Sequence, residues 1–147
     1  CDVDAAIEIM GCDGYETPTN DRNVAEHMGS WSQHVSSWTA SSGGVHFLRY
    51  EDLLRDPFGT FSGVLAYLGQ KLEPGRIQRA IEQASFKTLR KKEEEHGFSE
   101  RPAHQKAFFR KGTAGQWRKE LTPNQIERIV SQHCDQMLKF NYLPLEA

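Results

Sequence analysis

The sequence predicts a mainly helical chain with one short strand, a part of an α/β fold. Three observations carry this. Apolar residues repeat at helical spacing along most of the chain, and several of those stretches open on a capping residue followed by Pro. Val45 to Tyr50, after Gly43 and Gly44, alone has the branched and aromatic character of a strand. Mean hydropathy is −0.66, too polar for a Val/Ile-rich sandwich.

Asp2 and Asp4 open the first helix, since acidic residues in a first turn complement the helix dipole; Ile7, Ile9 and Met10 fill it and Gly11 stops it. Asp13 to Asn20 reads as a loop. A second helix is expected from about Arg22 to Trp38, with Trp31, Val35 and Trp38 as core residues of one face. Thr39 to Gly44 is a turn. Asp56 and Pro57 supply an N-cap and a first helical residue, and Phe58, Phe61, Val64, Leu65 and Leu68 carry that helix to Gly69. Pro74 opens the next helix, with Ile77, Ala80, Ile81 and Ala84. Ser85 caps a helix from Phe86 to His96 that Gly97 ends, and its pairs Arg90/Glu94 and Lys91/Glu95 support it slightly. Phe98 to about Leu121 has little periodicity. Thr122-Pro123-Asn124-Gln125 has the form of a capping box, and Ile126, Ile129, Val130, His133, Met137 and Phe140 continue the last helix. A lone strand leaves its backbone groups unpaired. A strand followed by a helix belongs to a parallel sheet built by several such units. No second strand is found, so the rest of the sheet is expected to come from residues outside these 147.

A chain of 147 residues fits a single domain, 1–147. Hydrophobic residues at 37%, with eight Phe, four Tyr and three Trp, argue against disorder. Eighteen Lys and Arg against 20 Asp and Glu leave a net charge of −2, which argues against a general nucleic-acid binder and makes any anion site local. The apolar runs are too short to span a membrane. The three cysteines, Cys1, Cys12 and Cys134, form no C-x-x-C and suit free thiols in a reducing, cytoplasmic setting. The six histidines give no H-E-x-x-H and no close His/Cys pair, so no metal site is expected. His34 reads as a packed histidine near Trp31 and Trp38. Glu51 and Asp52 read as structural carboxylates that hold a helix N-terminus or a neighbouring Arg.

The chemistry-bearing segment is Phe108-Phe109-Arg110-Lys111-Gly112-Thr113-Ala114-Gly115-Gln116-Trp117-Arg118. Arg offers a planar fork to a phosphate and Lys a point charge. Gly112 lets the backbone come close and offer its N–H to an anion. The adjacent aromatics suit stacking on a nucleobase or shielding it from water. The segment reads as a nucleotide-phosphate clamp; on spacing alone an ordinary basic, glycine-rich surface loop is the commoner explanation, because Arg-Lys-Gly is a common tripeptide. His104 lies just before it, in the Phe98–Leu121 loop.

That segment resembles the R-K-G-x-x-G-x-W-[KR] signature of sulfotransferases that use 3′-phosphoadenosine 5′-phosphosulfate (PAPS). Three more segments are similar to the family's, in the family's order. They are Gly29 to Trp38 (G-S-W-x-x-H-V-x-x-W), Phe47 to Leu53 ending in Arg49-Tyr50-Glu51-Asp52-Leu53, and Ala84 to Leu89 (x-S-F-x-x-L). Asp2 to Met10 resembles a helix of the bacterial small-molecule members. The resemblance implies the C-terminal half of a P-loop-like α/β sulfotransferase fold. It implies that Arg110, Lys111 and the Gly112 amide hold the cofactor's 3′-phosphate. Phe86 and Phe108 would flank the adenine, with Phe109 and Ser85 beside it. Met28 stands where many cytosolic members carry an adenine-facing Tyr.

The family's Y-P-K-[SA]-G-[TN]-T-W loop, its R-[DN]-P-x-D-x-x-x-S segment and its acceptor-activating His or carboxylate have no counterpart in this sequence. No catalytic residue is therefore assigned. The parent activity implied is transfer of sulfuryl from PAPS to a hydroxyl or amine of a small molecule. These residues alone are expected to turn nothing over and to bind PAPS or adenosine 3′,5′-bisphosphate weakly at most. The competing reading is a non-catalytic helical module for binding or assembly. An exposed Val45–Tyr50 strand would favour a homo-oligomer. It would not use the eukaryotic K-x-x-x-T-V-x-x-x-E edge, because Pro123 replaces its Val and lacks an N–H.

Overall fold

The computed structural model describes residues 2–21, 24–40, 44–102 and 105–143. Cys1, His104, the expected helix start at Arg22 and residues 41–43 of the expected turn lie outside them. The chain divides into two compact units. The first combines residues 1–45 with 117–147, and the second is residues 46–116.

In the first unit, α1 (Val3–Gly11) starts where the Asp2 carboxylate accepts the Asp4 amide at 3.1 Å. Ile7 is buried. Among the described residues from 12 to 30 there is no helix. The Tyr15 carbonyl accepts the amides of Met28 and Gly29 at 2.9 and 3.0 Å, and Glu16 and His27 form an isolated antiparallel bridge. The helix expected from Arg22 therefore begins nine residues later, as α2 (Trp31–Thr39). Gly29 takes a left-handed φ of 63°, and Ser30 is extended. Together they break any helix running into Trp31, and the Ser30–Gln33 capping box starts a new one. Trp31 is half-buried, whereas Trp38 is 58% exposed and His34 is exposed beside it. The expected three-residue core face is thus lost at its C-terminal end.

The short α7 (Trp117–Glu120) and the long α8 (Pro123–Lys139) complete this unit. Thr122 and Gln125 cap α8 reciprocally, as the sequence requires. Asp4 of α1 accepts Arg128 Nη1 at 2.7 Å and Gln125 Nε2 at 3.1 Å, which ties α1 to α8. Three polar pairs tie α2 to α8: Ser32 to His133 at 2.8 Å, Ser36 to Gln136 at 2.8 Å, and Thr39 to Lys139 at 3.0 Å. Residue numbers rise together along both helices, so α2 and α8 run parallel.

Where the first unit's residues 1–45 give way to the second unit, the residues expected as a strand form none. Positions 45–49 are irregular and Tyr50 already begins α3 (Tyr50–Arg55). No sheet exists among the described residues to pair Val45–Tyr50, and an isolated strand gains no ladder bonds. The segment instead lays His46 flat against Tyr67 of α4, ring centroids 5.1 Å apart. Asp52 in the first turn of α3 accepts Arg49 Nε at 3.0 Å and Arg55 Nη2 at 2.5 Å, the structural role expected of it. The helix α4 (Pro57–Tyr67) has Asp56 as N-cap and Pro57 at its first position. Gly69 follows its C-cap at φ 66°. Ile77 of α5 (Pro74–Gln83) is buried. Then α6 (Phe86–His96) runs from the Ser85 cap to Gly97, the limits expected from sequence.

Candidate functional site

The basic glycine-containing segment is organised by α6 of the second unit. Phe86, Leu89 and Glu93 lie on one face of this helix, at i, i+3 and i+7. Glu93 is buried, with its side chain only 4% exposed. Its two carboxylate oxygens accept the backbone amides of consecutive residues, Phe108 at 2.7 Å and Phe109 at 3.0 Å. The Arg101 guanidinium stands at 4.0 Å. A buried charge persists only where hydrogen bonds and opposite charges replace water. Here the amide of Phe108, then that of Phe109, hold the Glu93 carboxyl below its ordinary value, with Arg101 and Arg90 acting in the same direction and burial opposing. The group stays ionised.

Above this clasp sits an aromatic cluster. Phe98 meets Phe108 at 4.7 Å between centroids and Phe109 at 5.3 Å; Phe108 and Phe109 are 5.1 Å apart; Phe86 stands edge-on to Phe109 at 6.3 Å. Phe86 also presses on the backbone of Gly112. A Cβ at Gly112 would lie 2.2 Å from Phe86 Cδ2, and the residue has a left-handed φ of 59°. Both facts demand glycine there. The structure thus brings Phe86, Phe108, Phe109 and Gly112 into one assembly, with the exposed Arg110 and Lys111 between Phe109 and Gly112. Arg110 makes no ion pair among the described residues. Phe108 is 45% exposed, leaving part of an aromatic ring open beside the two cations. Such a loop can hold a phosphorylated aromatic ligand: guanidinium and ammonium on the phosphate, glycine amide close by, rings against the base.

Ser85 has a local task. Its hydroxyl caps α6 at the Thr88 amide and bonds the Thr88 hydroxyl at 2.8 Å. Met28 belongs to the first unit, is 46% exposed, and donates its amide to Tyr15. Trp117 and Arg118, the end of the quoted signature, also belong to the first unit, with the guanidinium 4.5 Å from the indole centroid. Sequence reasoning missed Glu93 and Phe98. Glu93 lies in the run Glu93-Glu94-Glu95 and reads as part of a solvated face. Its spacing of four and seven residues from Leu89 and Phe86 is the signal that separates it from its neighbours.

The first unit has its own buried ionisable group. His133 is 2% exposed, with Nδ1 bonded to Ser32 Oγ and its ring edge-on to Trp31 at 5.3 Å. Nε2 is buried without a partner. Burial pushes this imidazole below its ordinary value, against the pull of the Asp13 charge. An apolar groove of about 370 Å³ lies next to it, lined by Trp31, Trp117, Ile129, Met137 and Tyr142. Among the described residues no group of three or more His, Cys, Asp or Glu is placed to hold a metal ion. Cys12 and Cys134 are free and exposed. No helix of the described residues is long and apolar enough to cross a membrane.

Comparison with known proteins agrees with the segment-by-segment likeness. The chain is 30% identical to Sulfotransferase 2A1 of Rattus norvegicus over 120 residues, 76% of this chain and 41% of that protein. It is 31% identical to Sulfotransferase 1C2 of Homo sapiens over 125 residues, 78% of this chain and 40% of that protein. It is 34% identical to 3-alpha-hydroxysteroid sulfotransferase of Cavia porcellus over 115 residues, 74% and 40% of the two chains. The chain therefore spans about two fifths of the length of these curated relatives. A family model for the sulfotransferase domain matches residues 19–140, taking in α2 through α8 and the whole Phe86–Gly112 assembly. On that match, the chain belongs to the sulfotransferase domain family.

Proposed function

We propose that this chain carries the 3′-phosphate-binding part of a PAPS-dependent sulfotransferase, and that it corresponds to the C-terminal half of the fold. Arg110, Lys111 and the Gly112 amide take the 3′-phosphate. Phe86 and Phe108 take the adenine, with Phe109 packed behind them and Ser85 at the pocket's edge. The parent enzyme moves sulfuryl to a hydroxyl or amine of a small acceptor. Residues that this sequence lacks hold the 5′-phosphosulfate and activate the acceptor. The single observation that carries the reading is the Phe108–Gly112 loop. Two cations lie there between an open aromatic ring and a glycine that tolerates no Cβ. A cytoplasmic location and an affinity with the bacterial members belong to the same proposal.

The test is thermal stabilisation by adenosine 3′,5′-bisphosphate. A ligand that binds only the folded form stabilises by RT ln(1 + [L]/Kd), about 2.7 kcal/mol at a hundredfold excess over Kd. The wild-type chain should shift, and the double substitution Arg110→Ala, Lys111→Ala should abolish the shift while the unliganded melt stays in place. Loss of the fold instead would make the pair structural.

A second reading, a non-catalytic helical module for binding or self-association, is favoured by the exposed Trp38, Phe47, Leu48 and Leu68. It predicts a light-scattering mass above the 16.8 kDa of one chain and no nucleotide shift.

A further inference from the structure

The clamp's geometry depends on a residue outside the clamp. We propose that Glu93 is the positioning residue of the nucleotide site: its buried carboxylate grips the amides of Phe108 and Phe109 and so fixes where Arg110, Lys111 and Gly112 stand. This rests on the reading of that loop as a 3′-phosphate site.

Three observations carry it. The described residues between 97 and 116 have no regular hydrogen-bond ladder, so their path needs external anchors. Glu93 supplies two at consecutive residues, one oxygen to each amide, at 2.7 and 3.0 Å. Two adjacent amides fixed on one carboxylate set the direction in which the chain leaves Phe109, and Arg110 is the next residue. The second anchor point is the Phe86 ring on Gly112, seven residues from Glu93 on the same face of α6. Both ends of the Arg110-Lys111 dipeptide are thus held by the same helix. Preorganisation of this kind lowers the ordering cost of binding.

Simple electrostatics makes the opposite prediction. A buried negative charge beside a phosphate site repels the ligand, so its removal should tighten binding. If Glu93 acts by positioning, its removal weakens binding despite that relief. The sign of the change separates the two roles.

The experiment is calorimetric titration of the 147-residue chain with adenosine 3′,5′-bisphosphate, for wild type, Glu93→Gln and the control Glu94→Gln. A glutamine keeps the shape but can accept from only one of the two amides, because its other end is a donor. Glu93→Gln should weaken binding by about tenfold or more, and Glu94→Gln should leave it unchanged. Equal or tighter binding by Glu93→Gln, with wild type binding, overturns the proposal and leaves the phosphate reading standing. No binding by wild type overturns both. Amide exchange in the wild-type chain needs no variant. Phe108 and Phe109 should exchange as slowly as the α6 amides, and exchange of both at the rate of an open loop overturns the proposal.

Discussion

His133 and Glu93 are buried ionisable side chains, one in each unit, and their surroundings stabilise opposite charge states. Glu93 is held by two backbone amides, with Arg101 nearby, so its lowered pKa keeps it charged. His133 has one side-chain partner, Ser32, and a buried Nε2 with none, so its lowered pKa keeps it neutral. The same direction of shift reports hydrogen bonding to the charged form in one case and desolvation in the other. The second unit's polar centre is built on backbone and shapes a loop. The first unit's is built on side chains and joins helices.

That contrast predicts where damage falls. The largest effect should come from a change of backbone in the second unit. Gly112→Ala places a methyl carbon 2.2 Å from Phe86 Cδ2 and adds the cost of a left-handed φ, about 1–2 kcal/mol for a residue with a Cβ. The loop must move, and the nucleotide-induced thermal shift should disappear. Adding Phe86→Leu relieves the contact but not the φ, so it should restore only part of the shift. Full restoration would show that the ring contact alone dictates glycine.

The next effect is in the first unit. His133→Ala removes the Trp31 contact and strands the Ser32 hydroxyl, and should cost about 2–3 kcal/mol in urea unfolding. The pH profile sharpens the comparison. With the folded pKa of His133 depressed, the unfolded chain takes up the proton first. Stability is complete above the ordinary value of 6.5 and declines as pH falls from there through the folded value. Glu93 gives the same sign in a lower window: its contribution is complete above 4.5 and is lost as pH falls below it. Wild type should therefore lose stability in two steps on acidification, and His133→Ala should lack the upper one. An unchanged upper step would assign it to another group.

The smallest effect is expected one residue from the clasp. Glu94 pairs with Arg90 at 3.1 Å, but both side chains are more than half exposed. Glu94→Gln should cost less than about 0.5 kcal/mol. A larger loss would mean that the acidic run acts as one unit, and that Glu93 is not distinct from its neighbours.

Much of this architecture was legible where local signals decide. The limits of α6 follow from Ser85 and Gly97, and the start of α8 from Thr122, Pro123 and Gln125, because caps are short-range chemistry. Residue types single out Phe86, Phe108 and Gly112, but not how they pack. A sequence gives spacing along one helix but not which loop returns to it. Val45–Tyr50 has strand-like residues yet forms no strand, since pairing is decided by a partner and the described residues supply none. The helix expected from Arg22 overran because the Tyr15 carbonyl takes the Met28 and Gly29 amides, a contact across thirteen residues or more that no local rule reveals. Glu93 was hidden by composition: three consecutive glutamates look alike until one finds two amides.

The parallel pairing of α2 with α8 has a consequence for how the chain comes into being. Its three polar contacts join residues about a hundred positions apart, and the whole second unit is encoded between them. As the polypeptide leaves the ribosome, residues 46–116 emerge as one continuous segment that carries the α3–α4, α4–α5 and α5–α6 packing. Trp31 and Ile7 must wait for the last helix. The second unit should thus acquire native structure before the first unit does, and α1 and α2 should remain protease-sensitive until α8 is released. A nascent chain stalled just after Leu121 has emerged should yield a protected fragment covering Glu93 and Gly112 and none covering Trp31.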